Sequence, residues 1–324
     1  MNNRYIGIFP AYSEARVKEE IQMADSLRQL GVNYFPVGVP CPGRWLTFYE
    51  LENEINNKNP TYIEFYNQLL TITSENDFII ALGGSMLPLS FLKETKAKTI
   101  LIYADDPESS DILSKHIARF FDLCLVTNTS CLDDYFDWGC NKVDYIFHAI
   151  PDHLLNICTP DHFTTSKKYT SNVFCECVSD FSQKRKRNLQ ILKSRFPNSI
   201  VAGKGWDAGY MELNEMISVQ NSSLIGWNLH NSIGPTNTRY FNLSATSSMQ
   251  LCDNKSGYHV YFKDGSDIIL FNGLSECIDV TEYFLKHPDE ATKIALNAWN
   301  KRDRFSTQSW WNSIKTKIDD WGLN

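Results

Sequence analysis

Apolar residues in the first half of the chain fall into two alternating patterns. Short solid runs recur: YIGIFP from Tyr5, VNYFPVGV from Val32, DFIIALG from Asp77, KTILIYAD from Lys98, DLCLVTN from Asp122 and KVDYIFHAI from Lys142. Runs this short and this continuously apolar read as strands buried on both faces. Between them the spacing changes. In SEARVKEEIQMADSLRQLG, residues Val17, Ile21, Ala24, Leu27 and Leu30 recur at helical intervals and stop at Gly31. TYIEFYNQLLTIT, MLPLSFLKET, SSDILSKHIARF and SCLDDYFDWG read as further helices. Strand and helix in strict alternation predict a parallel sheet covered on both faces.

The rhythm breaks from about Pro151 to Thr170, where CTPDHFTTSKKYTS is polar and patternless, as a linker is. It then restarts with SNVFCECVS, QKRKRNLQILKSRF, SIVAGKG, YMELNEMISVQ, SSLIGWNL, NTRYFNLSATSS, MQLCD and DIILFN. A second doubly wound domain follows. The tail, STQSWWNSIKTKIDDWGL, puts Trp310, Ile314, Ile318 and Trp321 on one helical face behind a cap at Ser306 or Thr307. That face needs a partner, and the first domain is the expected one. The reading divides the chain into 1–155, 156–300 and a returning helix, 301–324.

At 324 residues the length agrees with two cores. A net charge of −7 argues against a broad basic surface for nucleic acid, and the one dense cluster, Lys184 to Arg187, is too short to reverse it. Nine scattered cysteines without a Cys-x-x-Cys pair read as reduced thiols and give no zinc framework. No apolar run reaches about 18 residues, so no membrane span is expected. The reading is a soluble, cytoplasmic protein with no metal site.

In open parallel sheets ligands lie beyond the carboxyl ends of the strands. In the first half these positions hold Glu14, the glycines of ALGGSMLP, and the pair Asp105 and Asp106 before Pro107. A carboxylate there can take a proton from a hydroxyl or hold a sugar hydroxyl; the bland reading of Asp106-Pro107 is a turn and helix cap. In the second half, AGKGW ends a strand with Lys204, Gly205 and Trp206, and Arg185 sits at a helix start where amides and cations favour phosphate. The stretch SSLIGWNLHNSIGPTNTRYFNLSATSS carries Asn228, His230, Ser232, Asn237, Arg239 and Asn242 with a single arginine. Helix amides, Ser232, Asn237 and Arg239 together suit a diphosphate. Neither a G-x-G-x-x-G fingerprint nor a Walker loop occurs.

The order of these motifs resembles the CgeB-like, spore-maturation family of glycosyltransferases. The likeness runs through the DDP at Asp105 to Pro107, the block FFDLCLVTN, a helix ending in Trp-Gly, the G-x-G-W at Gly203 to Trp206, and a final element similar to N-x-R-x-F-E-x-x-A-x-G. The resemblance implies the GT-B fold: two doubly wound, Rossmann-like domains facing across a cleft, with the C-terminal helix packing back on the first. It further implies a nucleotide-sugar donor (UDP-, GDP- or dTDP-), an acceptor site in the first domain and a donor site in the second. Transfer of a hexosyl or pentosyl group to a hydroxyl acceptor, on a glycan, protein or small molecule, follows without a metal ion. Arg239, aided by Lys204 or Arg185, would hold the diphosphate, and Asp106, Asp105 or Glu14, in that order, would act as base.

Three positions depart from the family pattern, one of them Ser247, where the family has glycine after A-x. Asn242 stands where the donor-ribose glutamate is expected, and Gly234 where retaining relatives carry a second. They keep open a non-catalytic, partner-binding scaffold as a rival class. A third reading, a transferase acting on modified DNA bases, is disfavoured by the charge.

Overall fold

The computed structural model describes residues 3–83, 86–174, 183–203, 205–211, 213–230, 236–255 and 261–323. The chain forms two compact units, one of residues 1–147 with 307–324 and the other of residues 148–306.

The first unit is built on six strands: β1 (Arg4–Ala11), β2 (Tyr34–Pro40), β3 (Asp77–Leu82), β4 (Lys98–Tyr103), β5 (Leu123–Val126) and β6 (Val143–Tyr145). They lie in the order β2-β1-β3-β4-β5-β6, and every pairing is parallel. All interior residues of β1 are buried, as are all four of β5. That is why their sequences show no polar alternation: helices cover both faces. Ile6, Ile8, Ile79, Ala81, Leu101 and Val126 belong to one core with Phe91 and Leu51 from the helices.

Helix 307–320 is part of this unit. Its Trp310, Trp311, Ile314 and Ile318 are buried, each such side chain stabilising the fold by roughly 1.5–3 kcal/mol. Trp311 meets the ring of Tyr5 edge-on at 4.7 Å, Lys317 pairs with Asp144 at 2.7 Å, and Lys98 and Lys142 donate to the Leu323 and Trp321 carbonyls. The periodicity predicted this helix and its face, apart from Trp311, which it left out, and Trp321, which lies past the helix end and is half-buried.

Helices Leu274–Lys286 and Pro288–Trp299 of the second unit were not expected, and two elements of the first unit also differ from the sequence pattern. Helix Phe48–Asn56 was not expected; Thr47 and Glu50 form a reciprocal capping box at its start. The helix expected over 109–120 is a series of turns ending in a single 3-10 turn, Ala118–Phe120. Serine hydroxyls explain the loss: Ser109 and Ser110 donate to the backbone oxygens of Asp105 and Pro107, and Ser114 to the Asp106 carboxylate.

The second unit holds β7 (Tyr169–Phe174), β8 (Ile200–Ala202), β9 (Ser223–Asn228), β10 (Met249–Asp253) and β11 (Ile269–Phe271) in the parallel order β11-β10-β9-β7-β8. Val173, Ile225, Trp227, Met249 and Leu251 form its core with Leu189 and Leu192 of helix 183–195. Trp227 is fully buried and its indole N–H donates to Thr281. The segment expected as a linker carries two short helices, Asp152–Ile157 and Asp161–Thr164. Among the described residues no helix is long and apolar enough to cross a membrane.

Candidate functional site

Both sheets reverse their winding after the second strand. The chain runs from β1 outward to β2 and returns to β3 on the other side of β1; it does the same from β7 to β8 to β9. Helices after the two innermost strands therefore leave on opposite faces, opening a crevice at the β1/β3 and β7/β9 ends, where ligands bind in folds of this class.

In the second unit that crevice is spanned by Arg239. Asn237 caps helix Thr238–Asn242 by accepting the Tyr240 N–H at 2.9 Å, and its amide donates to Asn228 Oδ1 at 3.0 Å. The cap fixes where the next side chain points. Arg239 donates through Nε to the same Asn228 oxygen at 3.3 Å, through Nη2 to the Leu229 carbonyl at 3.2 Å and through Nη1 to the Phe174 carbonyl at 3.5 Å. One guanidinium thus ties the end of β7 to the end of β9. Asn228 is fully buried, and its Nδ2 has no hydrogen-bond partner among the described residues.

Next to it, Asp253 at the end of β10 accepts the His230 backbone N–H and, at 2.6 Å, His230 Nδ1. Burial holds His230 below the ordinary imidazole range although Asp253 pulls the other way. His230, Cys252 and Asp253 bring three ligand atoms within 4.8 Å of one another, a set a divalent ion could use. The neighbouring charges oppose it: Lys255 Nζ stands 3.9 Å from Asp253, and both Lys255 and Arg239 depress the basicity of His230.

The remaining second-unit candidates are dispersed. Arg185 is buried in the first turn of helix 183–195. Gly205 is exposed with φ 85°, while Trp206 packs against the second core rather than standing free. Asn242 ends the helix that Asn237 caps, and its Oδ1 is buried with no partner among the described residues. Lys204, Ser232 and Gly234 lie outside the described residues.

At the first sheet, β4 leads into Asp105 and Asp106, which part company. Asp106 is only 4% exposed; Tyr135 and Ser114 both donate to its Oδ2, at 2.7 and 2.5 Å, and Oδ1 is buried without a partner among the described residues. Burial pushes its carboxyl up to about 6, against the pull of those two hydroxyls. Asn128 holds its backbone oxygen, and the Asp106-Pro107 peptide is cis. Asp105 is exposed, and so is Glu14, the first residue of helix 14–29 behind its cap Ser13. Of the three candidate bases, Asp106 is therefore turned inward against two hydroxyls, while Asp105 and Glu14 stand exposed.

Sequence reasoning missed three residues at these edges, Asp253, Trp45 and Arg16. Asp253 was marked only by its place at a strand end. Tyr12, Trp45 and Arg16 flank the first crevice, Trp45 packing over Gly83 just after β3.

Residues 182–315 match the family model described as glycosyl transferase-like, a segment running from helix 183–195 through β8 to β11 and into the C-terminal helix. No curated protein matches the chain. Among solved structures, HepE of Anabaena in complex with UDP and glucose is 10% identical, with a TM-score of 0.63 over 98% of this chain and 100% of that one. A glycosyltransferase from Rickettsia africae is 13% identical (TM-score 0.61; 98% and 99% covered), and the sucrose-phosphate synthase of Thermosynechococcus elongatus 8% identical (TM-score 0.71; 99% and 100% covered). At such identities the likeness is one of fold, and the fold is that of GT-B glycosyltransferases, two Rossmann-like halves with parallel sheets.

Proposed function

We propose that the protein is a glycosyltransferase that moves a hexosyl or pentosyl group from a nucleotide-diphosphate sugar to a hydroxyl acceptor without a metal ion. The observation that carries the reading is the guanidinium of Arg239 at the β7/β9 crevice, inside the segment that matches the family model. HepE is known in complex with UDP-glucose, so UDP-sugars are the first donors to test, before GDP- and dTDP-sugars.

In this reading the second unit holds the donor and the first the acceptor. The acceptor oxygen attacks the anomeric carbon while the bond from that carbon to the diphosphate breaks. Charge grows on the leaving diphosphate, and Arg239 stabilises it in the role a divalent ion has elsewhere. In an inverting course Asp105, with Glu14 as the second choice, takes the acceptor proton. Asn128 and Tyr135 then act through Asp106 to shape the loop that presents Asp105. Asn242 bonds a donor hydroxyl without bringing charge. The DDP and G-x-G-W motifs support a place in the CgeB-like branch, and seven cysteines outside any disulfide among the described residues support a reducing, cytoplasmic setting.

A second reading, a scaffold that binds no donor, is favoured by one observation: three nitrogens of Arg239 already serve protein acceptors. Calorimetry with UDP, GDP and dTDP separates the two. A transferase binds at least one of them and loses at least tenfold in affinity on Arg239→Ala; binding of none, together with no release of nucleotide from any of the corresponding sugars, leaves the scaffold.

A further inference from the structure

Two aromatic rings in contact with each other stand at the first crevice, Trp45 packing in part against the first core. Trp45, half-buried in the loop after β2, lies so close over Gly83 that a methyl group there would meet its Cζ3 at 3.3 Å; Gly83 itself has φ 147°, a conformation side chains rarely adopt. Tyr12, half-buried after β1, stands with its ring centre 6.2 Å from that of Trp45 and tilted by 40°. In the sheet order β2, β1 and β3 are neighbours, so both rings and the glycine share one edge at the point where the winding reverses.

Polar groups flank the rings. Asp105, exposed, follows the next strand, β4, and Glu14 is exposed at the helix start. Beside them an open depression runs along the first helix, lined by Tyr12, Glu14, Val17, Lys18 and Ile21 and not by Trp45. Arg16, paired with Glu20 at 2.6 Å, adds a positive field that Asp105 feels.

With their centres 6.2 Å apart the two rings touch each other, so a ligand lies against them and not between them. They suit a puckered ring whose C–H faces are apolar and whose edges carry hydroxyls. The adjacent carboxylates accept hydrogen bonds from such hydroxyls, and a purely alkyl ligand would leave them unused.

Resting on the transferase reading, we propose that the acceptor is a carbohydrate whose pyranose ring seats against Trp45 and Tyr12 at the β1/β3 crevice. Flat phenols, nucleosides and alkyl alcohols are then poor ligands of this site.

The test is saturation-transfer NMR on the full chain without donor, using methyl glucopyranoside, galactopyranoside, mannopyranoside and N-acetylglucosaminide, with phenol, uridine and 1-octanol as contrasting arms. At least one glycoside should show saturation of its ring C–H protons. Trp45→Ala should weaken that binding at least fivefold and Trp45→Phe less, with UDP affinity unchanged in both. Absence of glycoside binding, indifference of it to Trp45→Ala, or Trp45-dependent binding of phenol, uridine or octanol alone overturns the proposal. Should Trp45→Ala lose its native circular dichroism, Trp45→Phe and Tyr12→Ala carry the comparison. The two readings fail separately: Trp45-dependent glycoside binding without any nucleotide binding keeps the carbohydrate site and sinks the transferase, and nucleotide binding without glycoside binding does the reverse.

Discussion

Arg239 and Asn237 share one acceptor, the Oδ1 of Asn228, at 3.3 and 3.0 Å. That oxygen belongs to a fully buried residue at the end of β9, so the cap of a short helix and the guanidinium that follows it are located by the sheet. Arg239 is consequently both a brace between β7 and β9 and a cation at the crevice.

These two roles separate by substitution. Arg239→Ala should lower stability by about 1–3 kcal/mol, because buried acceptors lose charged donors, and should reduce turnover at least tenfold. Arg239→Lys keeps the charge but not the planar fork, so it should recover part of the nucleotide affinity and little of the stability. Urea unfolding and nucleotide calorimetry on both variants check this. Turnover within about threefold of the parent in Arg239→Ala would leave less than roughly 1 kcal/mol of transition-state stabilisation and end the diphosphate role.

Asp105 and Asp106 are neighbours in sequence and opposites in surroundings, and their asparagine variants should differ accordingly. Asp105→Asn should reduce turnover by about 10²- to 10⁴-fold, the usual contribution of a general base, with the melting temperature unchanged. Asp106→Asn should retain turnover within a few fold, since an amide oxygen still accepts from Tyr135 and Ser114. The reverse pattern in initial rates would return the base role to Asp106.

How much of this was visible beforehand depended on whether a signal was local. The strands were legible because burial on both faces leaves continuous apolar runs, and the C-terminal helix because Trp310, Ile314 and Ile318 repeat at helical spacing. The 109–120 segment misled because apolar spacing says nothing about where Ser109, Ser110 and Ser114 send their hydroxyls. Helix 48–56 did announce itself in the Thr47-to-Glu50 interval, a capping signature. The unlike fates of Asp105 and Asp106 rest on Tyr135 and Asn128, more than twenty residues away, and the partner of His230 lies on another strand; no spacing rule reaches that far.

The pH dependence of stability should carry the mark of Asp106. Its carboxyl is raised to about 6 in the folded chain against an ordinary value near 4. Below about pH 4 it is protonated in both states; between about 4 and 6 the folded state keeps a proton the unfolded state has released; above 6 both have lost it. Stability from this group therefore falls as pH rises through that window, by up to about 3 kcal/mol for two pKa units. Asp77 and Asp253, held low by Arg4 and His230, slope the other way, so the quantity to measure is the difference between Asp106→Asn and the parent. In urea melts that difference should grow in favour of the variant from pH 4 to 6 and then stay flat. A difference independent of pH would contradict the raised carboxyl.

The last prediction concerns the strand that leads into the first crevice. A methyl group at Gly7, in the middle of β1, would sit 1.7 Å from the hydroxyl oxygen of Tyr34 and 2.3 Å from its Cζ. Tyr34 is 1% exposed on the neighbouring strand and its hydroxyl has no hydrogen-bond partner among the described residues. Its ring has no open space to rotate into, so Gly7→Ala must part the strands, costing about 3 kcal/mol or more. Tyr34→Phe removes an unpaired buried hydroxyl and should leave stability equal or raise it by up to about 1 kcal/mol. In the double variant Gly7→Ala with Tyr34→Leu the losses should be well under additive, because the shorter side chain vacates the space the methyl needs. Urea denaturation of the four proteins measures the coupling. Additive losses would mean that the tyrosine ring is not what excludes a side chain from position 7, and that β1 and β2 approach each other differently from the packing seen here.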